Sequence, residues 1–217
     1  MKPLNFLLVL MLFFSSVFAE HLEQVSLQLQ WKHQFEFAGF YAAKAQGFYK
    51  VAGLDVSIYE YENNLDIMNE ISSGKKDFGI WGSGLIKEWM DGKPIVLLAN
   101  YFKRSPLAIV TKPDIVLPSG LKGKKLMVSS DDFSSANYIQ MFKAYELESK
   151  DIVRVPASFQ IEDFISGKVD AYSVFLTNEP FFLQHKMVPY NVLDSSNSGV
   201  EMYDVNLFSS QILAKIN

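Results

Sequence analysis

Trp31, His33 and Tyr41 stand in the ring-rich run Trp31-Lys32-His33-Gln34-Phe35-Glu36-Phe37-Ala38-Gly39-Phe40-Tyr41. A tryptophan at a strand exit can stack on a flat aromatic or amidine-bearing ligand, a contact worth roughly 0.5–1.5 kcal/mol beyond area burial. The same residue serves equally well as a core tryptophan. His33 reads either as a hydrogen-bond donor to a ligand or as a solvated loop histidine. Phe37, Phe40 and Tyr41 fall at helical spacing, which suits the buried face of a helix with one ring able to reach a cleft.

Carboxylates and hydroxyls add to this set. Thr177-Asn178-Glu179-Pro180 reads as a helix start. Proline is tolerated in a first turn, Asn178 suits the N-cap, and Glu179 suits the positive end of the helix dipole. A carboxylate there also matches a ring nitrogen beside an exocyclic amine, because paired donors facing a carboxylate make a strong, directional contact. Ser129-Ser130-Asp131-Asp132-Phe133-Ser134-Ser135 leads into another helix. Free N–H groups at helix starts attract anions, but Asp131 and Asp132 already occupy that field. Phosphate, nitrate and sulfonate ligands are disfavoured there, and an amine-bearing or neutral ring is favoured. Trp81 and Ser83 complete the candidate ligand-binding set of Trp31, His33, Tyr41, Trp81, Ser83, Ser129, Asp131, Asn178 and Glu179.

The elements that position these groups alternate strand and helix. Val25, Leu27, Leu29 and Trp31 alternate as in a strand, and Ala38 to Gln46 follows as a helix stopped by Gly47. Strands are expected around Leu54–Ile58, Phe78–Trp81 and Ile95–Tyr101, with helices over Leu65–Ser73 and Leu85–Met90. The second half repeats the grammar: strands over Leu107–Thr111, Lys125–Val128, Ile152–Val155 and Ala171–Phe175, and helices over Ser134–Tyr145 and Ile161–Ser166. Residues 112–123, with Pro113, Pro118 and Gly120, are expected to form an irregular surface linker. Such βα series imply mainly parallel sheets covered on both faces. In them, ligands sit beyond the carboxyl ends of the strands, where the candidate residues fall. The forms SGKKDF at Ser73 and SGKVDA at Ser166 repeat a Gly-capped helix turning at once into a strand, which favours two similar lobes.

Bulk properties narrow the function. A formal net charge of −4 with scattered basic residues leaves no nucleic-acid footprint. Zero cysteines rule out thiol catalysis and Cys-ligated metals, and His21, His33 and His185 lack metal-ligand spacing. No catalytic residue, metal or cofactor is expected. Lys2, the apolar run Phe6 to Phe14 and the small-residue pattern at Val17-Phe18-Ala19 form a secretory signal over residues 1–19. The run falls short of the roughly 20 apolar residues that a membrane span needs.

The run VSLQLQWKHQFEFAGFYAAKAQGFYKVAGLDV (Val25–Val56), with SGKKDFG, LKGKK at Leu121–Lys125 and SGKVDAYSVFLTNEP, resembles the thiamine-pyrimidine-synthase-like periplasmic binding proteins, a family with sulfonate-binding relatives. WKHQFEFAGFYAA is most similar to the sensory members. The resemblance implies a two-lobed α/β periplasmic-binding-protein fold that closes about a hinge. It assigns Trp31 to stacking on a pyrimidine and Glu179 to holding the ring's amino face. His33 stands where many members carry Asn. The family's enzymes need a Schiff-base lysine and a histidine four residues beyond it, but the matching segment Phe78–Leu85 carries Trp81 and Leu85.

These readings lead to a periplasmic solute-binding protein or sensory domain for a small nitrogenous ring compound, with thiamine pyrimidine synthase as the disfavoured alternative. The implied partners are the small-molecule ligand and either an ABC transporter permease or a fused signalling module, with no nucleic acid. Lobe 1 is expected over residues 20–105, lobe 2 over 106–190 and a return segment over 191–217, with hinges near Phe102–Pro106 and Tyr190–Ser195. The resemblance also implies C-terminal helices packed on the first lobe. The chain is expected to lack them, as a truncated or split reading frame would.

Overall fold

The computed structural model describes residues 21–62, 65–158, 160–199 and 201–216. The leader expected over residues 1–19 lies outside the described residues. In the first sheet the strands run β2 (Leu54–Tyr59), β1 (Glu23–Gln28), β3 (Phe78–Trp81), β10 (Asp204–Ser210) and β4 (Ile95–Phe102). In the second they run β7 (Val153–Pro156), β6 (Lys125–Val128), β8 (Ala171–Phe175), β5 (Leu107–Thr111) and β9 (Asn191–Asp194). In each sheet the first three strands are parallel and the fourth, β10 or β5, runs antiparallel to both neighbours. The sheets are mixed, with only that strand reversed.

The repeated SGKxD motif has the same physical role in both lobes. Gly74 and Gly167 take left-handed conformations (φ 77° and 78°), which glycine adopts without a Cβ clash. The aspartate then clamps the neighbouring parallel strand. Asp77 accepts hydrogen bonds from the backbone N–H of Ser26 at 2.8 Å and from its hydroxyl at 2.6 Å. Asp170 accepts from the N–H of Lys125 at 2.8 Å. Each aspartate thereby fixes the strand order at the start of β3 or β8.

Helices cover both sheets. The first lobe carries α1 (Ala38–Ala45), α2 (Phe48–Val51), α3 (Ile67–Ser72) and α4 (Leu85–Met90). The second carries α5 (Ser130–Phe133), α6 (Ala136–Ala144), α7 (Ile161–Ile165) and α8 (Glu179–His185), and α9 (Leu213–Ile216) follows β10. The helix expected over Ser134–Tyr145 is preceded by the separate turn α5, because Ser129 and Ser135 each cap a helix by accepting from the N–H three residues on. All five residues of β5 are buried, as a strand covered on both faces requires. Ile109 packs toward Tyr138, Met141 and Phe142, while Ala108 and Val110 pack toward Phe164 and Leu183.

Two expectations change. Residues 112–123 are not a mere surface linker, since Ile115 and Leu121 are fully inside the second core. Asn191–Asp194, expected to begin the return, is instead the edge strand β9 of the second sheet. The chain crosses between the sheets at residues 103–106 and, on the way back, at residues 195–203. Ser105 N–H donates to the Met202 carbonyl at 2.7 Å, tying the two crossings together.

Candidate functional site

The carboxyl ends of β1, β3, β6 and β8 deliver one set of loops. The starts of the reversed strands β5 and β10 lie at the same edges. Residues far apart in sequence therefore meet where the lobes face each other. Ser83, after β3, stands 3.5 Å from Asn137 Oδ1 on α6, a long contact spanning the two lobes. Asn137 is buried and donates to Ser195 Oγ at 3.3 Å.

Trp31 leaves the first sheet half-buried against the core of Leu27, Phe37 and Val56. Its ring stacks on Tyr61, with centroids 5.8 Å apart and planes 14° from parallel. A Tyr61 N–H to Trp31 carbonyl bond of 3.0 Å holds the two loops together. His33 is exposed and bonded to the Tyr41 hydroxyl, with its backbone N–H directed to Glu60 at 3.4 Å. Burial, then the nearby Glu60 charge, raises the Tyr41 pKa. The helical-spacing reading places Phe37 and Phe40 in the core. Trp81 packs beside Leu85 and Ile71, and its Nε1 lies 3.4 Å from where a Cβ on Gly84 would sit.

In the second lobe Ser129 caps α5 through a 3.0 Å bond from the Asp132 N–H. Asp131 is exposed, and its neighbour Asp132 is the one that turns inward. Asp132 accepts from Ser173 Oγ at 3.1 Å, and Ser173 exchanges a 2.8 Å bond with the Tyr138 hydroxyl. Burial, only partly offset by the Ser173 and Ser129 hydroxyls, pushes the Asp132 pKa up to about 6. Glu179 begins α8, accepting from the Phe175 N–H at 2.9 Å and from the Asn178 side chain at 3.2 Å. Asn178 thus supports Glu179 instead of capping the helix with its own side chain. Burial also raises the Glu179 pKa.

Two further carboxylates were not singled out by the sequence. Asp204 opens β10, accepts from Ser105 Oγ at 2.5 Å and from the Val205 N–H at 2.8 Å, and is raised by burial. Val205 takes a positive φ of 49°, which is strained for a β-branched residue, at this crossing. Glu36, in the ring-rich run, has both carboxylate oxygens buried with no hydrogen-bond partner. Its pKa rises to about 7, chiefly through burial; the Gln34 side chain opposes the shift, and Asp204 and Glu179 add to it. No signal short of tertiary structure could reveal these two, because each carboxylate becomes unusual only through what surrounds it.

Comparison with known proteins follows the same lines. The riboflavin-binding protein RibY of Chloroflexus aurantiacus is 24% identical over 79% of this chain and 51% of its own length. The phosphate synthase THI13 of Saccharomyces cerevisiae, which forms 4-amino-5-hydroxymethyl-2-methylpyrimidine phosphate, is 23% identical over 69% of this chain and 45% of its own. The chain thus spans about half the length of these curated relatives. Among solved structures, the periplasmic aliphatic sulphonate binding protein SsuA of Escherichia coli superposes with a TM-score of 0.67 at 18% identity, over 90% of this chain and 64% of that one. An ancestral arginine-binding protein bound to arginine gives 0.62 at 19%, over 91% and 90%. These likenesses establish the two-lobed binding-protein fold. A family model described as NMT1/THI5 like matches residues 34–217, and the chain belongs to the NMT1/THI5-like family.

Proposed function

We propose that the chain is a periplasmic receptor that reversibly binds a small, nitrogenous, ring-containing solute between its lobes. The observation that carries this reading is the Trp31–Tyr61 aromatic stack on one lobe, combined with Glu179 on the other. A ring stacked on Trp31 with its amino face toward Glu179 would bridge the lobes and favour closure. The solved structures of similar fold support a binding role, since they are a sulphonate-binding protein and an arginine-binding protein. Export, and delivery to an ABC transporter permease or a fused signalling module, belong to the same reading.

Synthase chemistry is the second reading, favoured by the similarity to THI13. Against it, the positions that the resemblance assigns to the Schiff-base lysine and its histidine hold Trp81 and Leu85. Leu85 is only 4% exposed within an apolar cluster. Neither can form an imine with pyridoxal phosphate. Thermal unfolding with millimolar thiamine, 4-amino-5-hydroxymethyl-2-methylpyrimidine or riboflavin tests the binding reading. At least one ring compound is expected to raise the Tm, and Trp31→Ala is expected to weaken it about 10-fold or more. No shift with any ring compound overturns the reading, as does an affinity indifferent to Trp31→Ala.

A further inference from the structure

We infer that Asn137 is an interlobe latch: its buried side-chain amide joins the second lobe to Ser83 of the first lobe and to Ser195 of the returning chain. This role rests on the binding reading above, since a receptor that closes on its ligand needs contacts that belong to the closed arrangement. It gives Ser83, a candidate ligand contact, a partner in the opposite lobe instead.

Asn137 is the second residue of α6, which Ser135 caps and which Tyr138, Met141 and Phe142 root in the second core. It is only 1% exposed. A buried amide without partners is costly, so its bonds show what the position is for. Among the described residues its side chain reaches two groups, one in the other lobe and one where the chain leaves the second sheet. Ser83 Oγ donates to its Oδ1 at 3.5 Å, and its Nδ2 donates to Ser195 Oγ at 3.3 Å. A leucine of similar shape would pack there without joining anything.

On the other side, the loop after β3 is held by its own lobe. The Gly82 carbonyl accepts from the Leu85 N–H and from Asn206 Nδ2, each at 3.2 Å. Asn206 is itself buried and accepts from Asn100 Nδ2 at 2.9 Å. The loop backbone is therefore committed to the first lobe while the Ser83 hydroxyl reaches across. At 3.5 Å that contact sits at the outer edge of hydrogen-bond geometry. A small rotation of the lobes toward each other brings it to about 2.8 Å, the usual hydroxyl–oxygen distance. A rotation of similar size the other way breaks it. A contact shifts a conformational equilibrium only when it differs between the two states, and this one does.

The chain has no cysteine, so Lys50→Cys and Lys143→Cys, at exposed positions of opposite lobes, give one defined pair of spin labels. Pulsed electron–electron double resonance on the ligand-free full chain then reads the interlobe distance. Ser83→Ala is expected to lower the ratio of closed to open distances about 2- to 10-fold, the worth of one neutral hydrogen bond. Asn137→Ala should lower it likewise, and the double substitution no further than Asn137→Ala alone, because both remove the same contact. Distances unchanged by Ser83→Ala overturn the latch, and so do additive effects of the two substitutions. In titrations with thiamine, 4-amino-5-hydroxymethyl-2-methylpyrimidine and riboflavin, Ser83→Ala is expected to weaken every probe that binds by the same factor, since a shifted lobe equilibrium scales all affinities alike. A loss confined to one of several bound probes makes Ser83 a ligand contact and overturns the latch. Binding of none of these probes overturns the receptor reading, and the ligand-free distances still decide the latch.

Discussion

Glu36 makes the fold's stability depend on pH in an unusual direction. Its pKa in the folded protein, about 7, lies above its ordinary 4.5. Between those values the folded chain keeps a proton that the unfolded chain has released. Stability therefore falls as pH rises through that window, and the loss is complete above about pH 7. Asp132 acts with the same sign, rising from 3.8 to about 6. Removing the Glu36 charge should flatten part of this slope, by about 1–3 kcal/mol. Urea unfolding is expected to show Glu36→Gln more stable than the wild type at mildly alkaline pH and equal to it in mild acid. A difference that does not vary with pH would contradict the buried, unpaired state of this carboxylate. The sequence displays Glu36 among aromatic rings but gives no clue that its carboxylate oxygens are buried. The strand exit before Trp31 and the helix start at Glu179 are local features that a sequence displays; the burial of Glu36 is not.

At the scale of elements, the βα grammar was readable and the strand order was not. Alternation of apolar residues marks β1 and β2 to within a few residues, and a short apolar run marks β3, since such patterns reflect which faces are buried. The placement of β10 between β3 and β4 depends on partners more than a hundred residues away in sequence, and nothing in residues 204–210 names them. One contact shows what admits it. Phe208 of β10 pairs across from Gly79 of β3, and a Cβ at Gly79 would lie 2.6 Å from the Phe208 ring and 2.8 Å from Ile71. The glycine is needed here for close approach, since its backbone must leave room for the ring. Gly79→Ala is expected to destabilise by about 1–3 kcal/mol through overpacking. The check is a lower denaturant midpoint with an unchanged m-value. A neutral substitution would mean that Phe208 can move aside and that the register of β10 is set elsewhere.

At the scale of the whole molecule, the two lobes have the same strand order but are not covered alike. Strand β5 is enclosed, whereas β4 exposes Leu97 (56%), Leu98 and Tyr101. Beside it, Leu85, Ile86, Trp89, Ile95 and Ala214 line a groove of about 440 Å³. Exposed apolar patches of this kind bind hydrophobic molecules or neighbouring surfaces. None of the groove's lining residues belongs to the candidate ligand-binding set, so a hydrophobic dye reads the groove by itself. The native protein is therefore expected to enhance 8-anilinonaphthalene-1-sulfonate fluorescence. Trp89→Lys with Leu97→Lys should remove most of that signal at an unchanged Tm, because both side chains are already largely exposed and contribute little to the core. Enhancement that survives the double substitution would place the dye elsewhere.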